Sequence, residues 1–403
     1  MIINFKIKNF NSYKEEEILD LRRKSKEQSG NKFIQNQNNL NLLKVVGLVG
    51  VNGSGKTSLL KGLDFMKSMV LNSQKHNIDT NIVYSHFSNN ATKPIEFEIT
   101  FITEGKRYIY GFSYTDKKIF KEYAKVYETQ KATEIFLRDE ENLENNRFEF
   151  SEKYEKELKA VSYNVIPQTL MLSRAAQLNS KILKPIYDFF ANIITVNQLF
   201  NTPAIDFTSL KDKKLKEELL NNLSFADFSI KDLELVKGIH KNIELIQVDG
   251  KDTINQKITE KDIMNLNLIH KHKNKNFKVD FIAESSGTQK FVLIFYNLLK
   301  LSKDSLILFD EIENSFNIEI VEFILNYFSK SKDGSQLLFT THQPDILNLL
   351  RSDQINIIEK EDSVSKIINL HSIVRNNPKI NKNYGDYYRE GVLGGFPNVY
   401  KEE

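Results

Sequence analysis

Three short stretches carry residue types whose spacing is chemical. "GVNGSGKT", Gly50 to Thr57, satisfies the pattern G-x-x-x-x-G-K-[ST] in full. Glycines let such a loop wrap until its backbone N–H groups point at phosphate oxygens, and the start of a following helix adds a positive field. In that arrangement Lys56 reaches the β- and γ-phosphates of a nucleotide, and the Thr57 hydroxyl is a ligand for Mg²⁺. Gly50, Asn52, Gly53, Ser54, Gly55 and Ser58 complete the cradle. "LILFDEIE" is an apolar run ending on Asp310 and Glu311. An acid at the carboxyl end of a buried strand is the Walker B position, so Asp310 is a candidate to hold Mg²⁺ through water. Glu311 points elsewhere and is a candidate to orient an attacking water or accept its proton. "LLFTTHQPDIL" sets His342 at the end of a second such strand, where an imidazole could touch the γ-phosphate and that water. ATP and Mg²⁺ are the ligands this set calls for, with Lys56, Glu311 and His342 as the catalytic candidates.

A fourth stretch, "AESSGTQKF", crowds Ser285, Ser286, Gly287, Thr288 and Gln289 in front of the apolar run "VLIFYNLL". Small polar residues before a helix are a cap. The residues alone leave open why one cap carries so many hydrogen-bonding groups.

These stretches need a sheet and helices to position them. "KVVGLVG" is a short apolar strand before the phosphate loop, and after Gly55 the residues Leu59, Leu60, Leu63 and Met66 recur at helical spacing. "IINFKIKNF" alternates as a first strand. Ile95, Phe97, Ile99 and Phe101 share one strand face, and Glu104-Gly105-Lys106 supplies a hairpin turn. From Gln168 the period becomes helical through "LKPIYDFFANII", "SLKDKKLKEELLNNL" and "SIKDLELV", with a strand pair flanking "HKHKNKN". His270 and His272 there read as solvated turn residues, and "RRKSKEQSGNKFIQNQNN" as a mobile connection. The division expected is 1–167, an N-terminal lobe with the phosphate loop and antiparallel strands; 168–280, a mostly helical insert; and 281–403, the remaining part of the nucleotide-binding core.

Composition bounds the setting. The 403 residues carry a net charge of +3 and no cysteine, which excludes disulfides and thiolate metal sites and demands no nucleic-acid or anionic-membrane partner. The start does not read as a signal peptide, and no apolar run approaches the length of a membrane span. A cytoplasmic address with no membrane partner is the expectation.

The order phosphate loop, "SSGTQ", "DE" and strand-end histidine resembles the ABC-type ATPases, including the SMC, RecF and OLD branches. The resemblance implies an α/β P-loop NTPase fold of ABC type, with an antiparallel β-rich lobe and an insert. It also implies that Ser285 to Gln289 form the signature motif, which serves the nucleotide of a partner subunit. In a head-to-tail homodimer Ser286 and Gly287 would carry the main contacts to the partner's γ-phosphate, with Ser285, Thr288 and Gln289 supporting; a higher oligomer is compatible with this. The Q-loop falls in "TLMLSRAAQLN", with Gln177 and Ser173 as candidates, although the same stretch reads equally as a buried helix start. More narrowly, "ESSGTQK", "LILFDEIENSFN", "QLLFTTHQPDIL", "RSDQINIIEK" and the tail "NYGDYYREGVLGGFPNV" look like the AAA-family ATPases of bacterial abortive-infection systems, the AbiL/Rlo kind. In that tail Tyr388, Gly391, Gly394, Gly395 and Pro397 match, while Leu393 stands where an aromatic is usual. This implies a sensor or regulator of phage defence that gates a separate effector or toxin protein. The alternative is a RecF- or SMC-like ATPase that binds DNA. Nuclease activity is not expected, because no Asp-x-Asp pair follows His342.

Overall fold

The structure, a computed structural model, describes residues 1–24, 33–142, 147–199, 205–226, 230–247, 254–273, 275–314, 316–331, 333–380 and 383–394. The chain divides into two compact units: Met1–Thr195 with Ser302–Glu403, and Val196–Leu301.

The first unit opens on β1 (Ile2–Lys8) and β2 (Glu17–Asp20), a hairpin of β3 (Ile34–Gln37) and β4 (Leu40–Leu43), then β5 (Val45–Val49) and α1 (Lys56–Asn72). A meander follows: β6 (Ile95–Thr103), β7 (Lys106–Tyr114), β8 (Ile119–Tyr127), β9 (Ala132–Asp139) and β10 (Phe148–Phe150). Next come α2 (Glu152–Ser162), α3 (Met171–Gln177), α4 (Lys184–Ala191) and β11 (Ile193–Thr195). The second unit holds α5 (Val196–Leu199), α6 (Lys213–Ala226), β12 (Ile230–Gln247), β13 (Ile254–His272), β14 (Lys275–Asp280) and α7 (Ser286–Leu298). The first unit resumes with β15 (Leu306–Phe309), α8 (Ile318–Lys330), β16 (Gln336–Thr341), β17 (Ile355–Glu361), β18 (Val364–Asn369), α9 (Leu370–Asn376) and α10 (Tyr384–Arg389).

Two sheets sandwich α1. One is antiparallel throughout, in the order β10-β9-β8-β7-β6-β1-β2; the other runs β11-β15-β16-β5-β17-β18 and is parallel except for its last pair. The parallel strands read as unbroken apolar runs because both faces are covered, and every residue of β5, β15 and β16 is buried. In the antiparallel sheet Ile95, Phe97, Ile99 and Phe101 face the core as their spacing predicts, and Glu104 and Gly105, both at positive φ, make the turn into β7. Leu59, Leu60, Leu63 and Met66 are all buried, each adding roughly 1.5–3 kcal/mol of transfer free energy. Gly62 lets α1 lie on the antiparallel sheet: a Cβ there would stand 2.9 Å from Ile7 Cδ1. The sheets are also joined through one buried amide, since Gln336 of β16 donates to the carbonyls of Ile2 and Leu43 and accepts from the Ile2 N–H.

The divisions differ from those expected. Residues 168–195 are part of the first unit, not of the insert. Leu170, Met171, Leu172, Ile186, Phe189 and Phe190 are buried, Phe189 stacks on Phe101 of β6 at 3.9 Å, and β11 pairs with β15. The insert is 196–301, so the serine-rich cap and α7 lie in it. Nor is it mostly helical: "SIKDLELV" opens β12, which pairs with β13 from Ile230↔His270 to Gln247↔Ile254 as a long ribbon. The expected mobile connection contains β3; its residues 25–32 lie outside the described residues.

A buried ion pair fixes α3 to the antiparallel sheet. Glu122 and Arg138 side chains are both 0% exposed and 3.7 Å apart. Glu122 accepts from the N–H groups of Met171 and Leu172 at the start of α3 and from the Tyr110 hydroxyl; Arg138 donates to the carbonyls of Ile166, Pro167 and Thr169. Burial pushes the Glu122 carboxyl up and the Arg138 guanidinium down from their usual ranges, so Glu122 depends on Arg138, which Glu140 also pairs at 2.6 Å. Arg138→Met should therefore cost about 3–5 kcal/mol in chemical denaturation; a loss below about 1 kcal/mol would show the pair to be dispensable.

Candidate functional site

The parallel sheet brings the three chemical stretches to one edge. β16 lies between β5 and β15, with Val49 level with Thr341 and Phe309 level with Phe339, so the loops after all three strands leave side by side. Ligands of open α/β sheets bind at this carboxyl edge.

The phosphate loop departs from β5 with Gly53 at φ 76° and Gly55 at φ 117°. Gly55 is required twice over, since a Cβ there would also stand 2.4 Å from Ser365 Oγ. The loop is held from behind by side chains far away in sequence. The Tyr13 hydroxyl donates to Gly55 O at 3.1 Å, and Ser365 Oγ donates to Ser54 O while bonding Ser12 Oγ at 2.7 Å. The start of α1 has no side-chain cap, which leaves its first N–H groups available to an anion. Asn52 and Gly53 are exposed, Ser54 is buried, and Thr57 and Ser58 are half-buried.

Lys56 lies back on its own loop, donating to Gly50 O at 2.8 Å and Val51 O at 3.0 Å, with His342 Nδ1 at 3.4 Å. Burial pushes its ammonium down to about 8, against the opposing pull of Asp310, Glu311 and Glu313. Thr57 Oγ1 donates to Asp310 Oδ1 at 3.1 Å, and the same carboxylate oxygen receives the Thr340 hydroxyl at 2.7 Å. One hydroxyl and one carboxylate suit Mg²⁺, which takes few protein oxygens and completes its octahedron with phosphates and water. No group of three or more His, Cys, Asp or Glu that could hold a metal ion occurs among the described residues.

Glu311 adopts φ 53°, the left-handed region that non-glycine residues rarely occupy. Its N–H donates to Thr340 Oγ1 at 2.7 Å, and that bond holds the turn. The turn carries the carboxylate out of the strand line: Oε1 is 3.7 Å from His342 Nε2, and Oε2 accepts from the Asn314 amide. Glu313 accepts from the His342 N–H through Oε1, while its buried Oε2 has no partner among the described residues. The structure thus brings together all the predicted residues of the phosphate loop, the acidic strand and the histidine strand. Sequence alone does not single out Tyr13, Ser12, Ser365, Thr340 or Glu313, although Glu313 is the third acid of "DEIE" and Thr340 stands two residues before His342.

A cleft of about 930 Å³ opens here between Gly50–Asn52, Glu311, His342 and Tyr388. Tyr388 reaches it because α10 docks on the turn after His342. The Gly385 N–H donates to Asn348 Oδ1 at 2.8 Å, Arg389 pairs with Asp345, and a Cβ on Gly385 would stand 2.7 Å from Pro344 O. Burial pushes the Tyr388 phenol up to about 12, so it remains a hydrogen-bond donor. Leu393 is buried, which accounts for an apolar residue there; Gly395 and Pro397 lie outside the described residues.

In the second unit the serine-rich segment divides its groups. Ser285 caps α7 by accepting from the Thr288 N–H at 3.1 Å and bonds the Thr288 hydroxyl at 2.8 Å. The Gln289 amide donates to Ile282 O and Glu284 O. Ser286 and Gly287 are exposed, and a Cβ on Gly287 would meet only Ser285 Oγ, at 4.0 Å. The cap is thus internal, and its two outward residues remain presented.

Neither Q-loop candidate reaches the site. Ser173 is buried and exchanges hydrogen bonds with Gln74, just beyond the far end of α1, about 25 Å of helix away from Thr57. Gln177 is exposed and accepts from Arg174. The stretch is the helix start of its other reading, packed against the sheet by apolar residues.

A family model described as "AAA domain, putative AbiEii toxin, Type IV TA system" matches residues 45–348. No curated protein matches the chain. Among solved structures it is similar to the SMC head domain from Thermotoga maritima, with 13% identity, 91% of this chain and 98% of that chain covered, and a TM-score of 0.43. It is also similar to the Smc head domain with an extended coiled coil bound to the C-terminal domain of ScpA, derived from Pyrococcus furiosus, with 14% identity, coverage of 94% and 98%, and a TM-score of 0.44.

Because one hydroxyl serves both acids, Thr340→Val should cost about 1–3 kcal/mol in unfolding free energy. It should also speed amide exchange across residues 310–314, measured by mass spectrometry. Unchanged exchange there would mean that the Glu311 turn is held by something else.

Proposed function

The chain belongs to the AAA-domain family whose model spans residues 45–348, and from that premise we propose that it binds and hydrolyses ATP as an ABC-type ATPase working as a homodimer. The observation that carries the reading is the meeting of Lys56, Thr57, Asp310, Glu311 and His342 at one sheet edge, over an uncapped helix start.

Each group then has a task set by its position. The N–H groups of Gly53 to Thr57 cradle the phosphates, and Lys56 swings from its loop carbonyls to the β- and γ-phosphates. Thr57 and Asp310 hold Mg²⁺, which when bound neutralises charge on the phosphate oxygens. Glu311 orients the attacking water and accepts its proton, and His342 bridges that carboxylate and the γ-phosphate. Tyr388 closes the cleft wall beside them.

Ser286 and Gly287 serve the second copy. An exposed hydroxyl and an exposed glycine at a helix start suit an anion, and the γ-phosphate on a partner's loop would supply one. ATP binding would then close the dimer and hydrolysis would reopen it. The family's toxin–antitoxin description supports a further step, in which this cycle gates a separate effector in abortive-infection defence. The insert, outside the hydrolytic residues, is the natural docking platform for that effector. The DNA-binding alternative finds little support in charge: residues 196–301 hold sixteen lysines against fourteen acids and no arginine, so the insert carries no strong basic excess.

Glu311→Gln, which keeps the shape but cannot accept the proton, should double its mass in solution on adding ATP with Mg²⁺. Adding Ser286→Arg to that chain should keep it monomeric. A Glu311→Gln chain whose mass is indifferent to ATP would contradict the closing dimer.

A further inference from the structure

The two histidines expected to be solvated turn residues part company in the structure. His272 is exposed, but His270 is 6% exposed. Its Nε2 lies 2.6 Å from Glu284 Oε1, with both side chains more than nine-tenths covered. The ring stacks on Phe277 of β14 at 5.3 Å. Glu284 stands immediately before the Ser285 cap, and its carbonyl accepts from the Gln289 amide at 3.1 Å. One buried contact therefore joins the β12–β13 ribbon to the segment that presents Ser286 and Gly287.

A second tie runs through Asp206 and Phe207. Asp206 Oδ1 accepts from the Met264 N–H at 3.1 Å, and the Phe207 N–H donates to Met264 O at 2.9 Å. On the other side the Tyr296 hydroxyl of α7 donates to Asp206 O at 2.8 Å, and the Phe207 ring lies 5.0 Å from Tyr296 and 5.3 Å from Phe281. The base of the ribbon and α7 are held together at two points. Beyond Asn267, where β14 ends its pairing, the ribbon continues two-stranded to Ile254, about 40 Å of extended chain.

We propose that His270 is a positioning residue for the segment 285–289: it holds Glu284, and through it the direction in which Ser286 and Gly287 face, so that a displacement of the ribbon is felt at those two residues. The chemistry of Glu284 makes the hold necessary. A carboxylate one residue before a helix cap stands in the positive field of the helix start. Released from His270, it competes with an incoming phosphate for the same N–H groups. Paired, it is turned away and hydrogen-bonded where it is buried. The inference rests on the reading of Ser286 and Gly287 as the surface that closes on a partner's γ-phosphate.

The test compares dimer dissociation constants in the Glu311→Gln background, with ATP and Mg²⁺, by sedimentation. His270→Leu should weaken the dimer about tenfold or more, while ATP affinity measured on dilute monomer stays within about twofold. His270→Gln, whose amide can still donate to Glu284, should recover most of the loss, which general destabilisation would not allow. An unchanged dimer constant for His270→Leu overturns the proposal. If that chain fails to fold, His270→Asn, too short to reach Glu284, breaks the same contact with the carboxylate still in place and must weaken the dimer likewise; a dimer as tight as the parent is the overturning result. A Glu311→Gln parent that never dimerises overturns the dimer reading itself and takes this inference with it, an outcome told apart because it appears before any change at residue 270.

Discussion

A lysine ammonium drawn out of water has to be given back its partners, and the first unit is arranged around that requirement. Lys56 is buried on the two carbonyls of its own loop, and burial has already pulled its proton affinity down. Asp310, Glu311 and Glu313 offset that cost without touching the ammonium, because each is committed elsewhere: Asp310 to Thr57 and Thr340, Glu311 to Asn314, Glu313 to the His342 N–H. The result is a positive charge surrounded by fixed acids, with an uncapped helix start beside it. A polyphosphate is the ligand that replaces the lost partners of the lysine, and a cation and a water are what the neighbouring acids suit.

Everything that fixes this cluster is non-local. Thr340 reaches Asp310 and Glu311 only because β16 lies between β5 and β15, and Ser365 and Tyr13 reach the loop only because β18 and the β1–β2 connection pass behind it. The tail adds a further constraint, since α10 clamps the turn after His342 and sets Tyr388 in the cleft wall. The left-handed backbone of Glu311 costs about 1–3 kcal/mol, and it is held where a candidate base must point away from its own strand.

This explains which features were legible in the sequence. Gly53 to Thr57, Asp310, Glu311 and His342 announce themselves because residue identity and a flanking apolar run or helical period coincide within ten residues. Ser12, Ser365 and Thr340 are single hydroxyls whose partners are tens to hundreds of positions away, and no periodicity marks them. The insert misled for a related reason. Amphipathic α3 and α4 look alike whether they cover the core or leave it, and only the packing of Phe189 on Phe101 places them. In "SIKDLELV", apolar residues at Ile230, Leu233, Leu235 and Val236 satisfy helical and extended spacing alike, and pairing with the distant β13 decides for the strand. His270 sits in a lysine-rich run that reads as solvated, yet a carboxylate fourteen residues on buries it.

In the proposed homodimer one complete site joins the phosphate loop of one copy to the Ser286–Gly287 surface of another. The most direct measurement mixes two inactive chains, Lys56→Met and Ser286→Arg, and follows phosphate release from ATP. In the mixed dimer one site joins the intact loop of the Ser286→Arg chain to the intact serine surface of the Lys56→Met chain, so hydrolysis should return on mixing although neither chain is active alone. If the wild type hydrolyses ATP and the mixture stays as inactive as its parts, the site is not shared between copies.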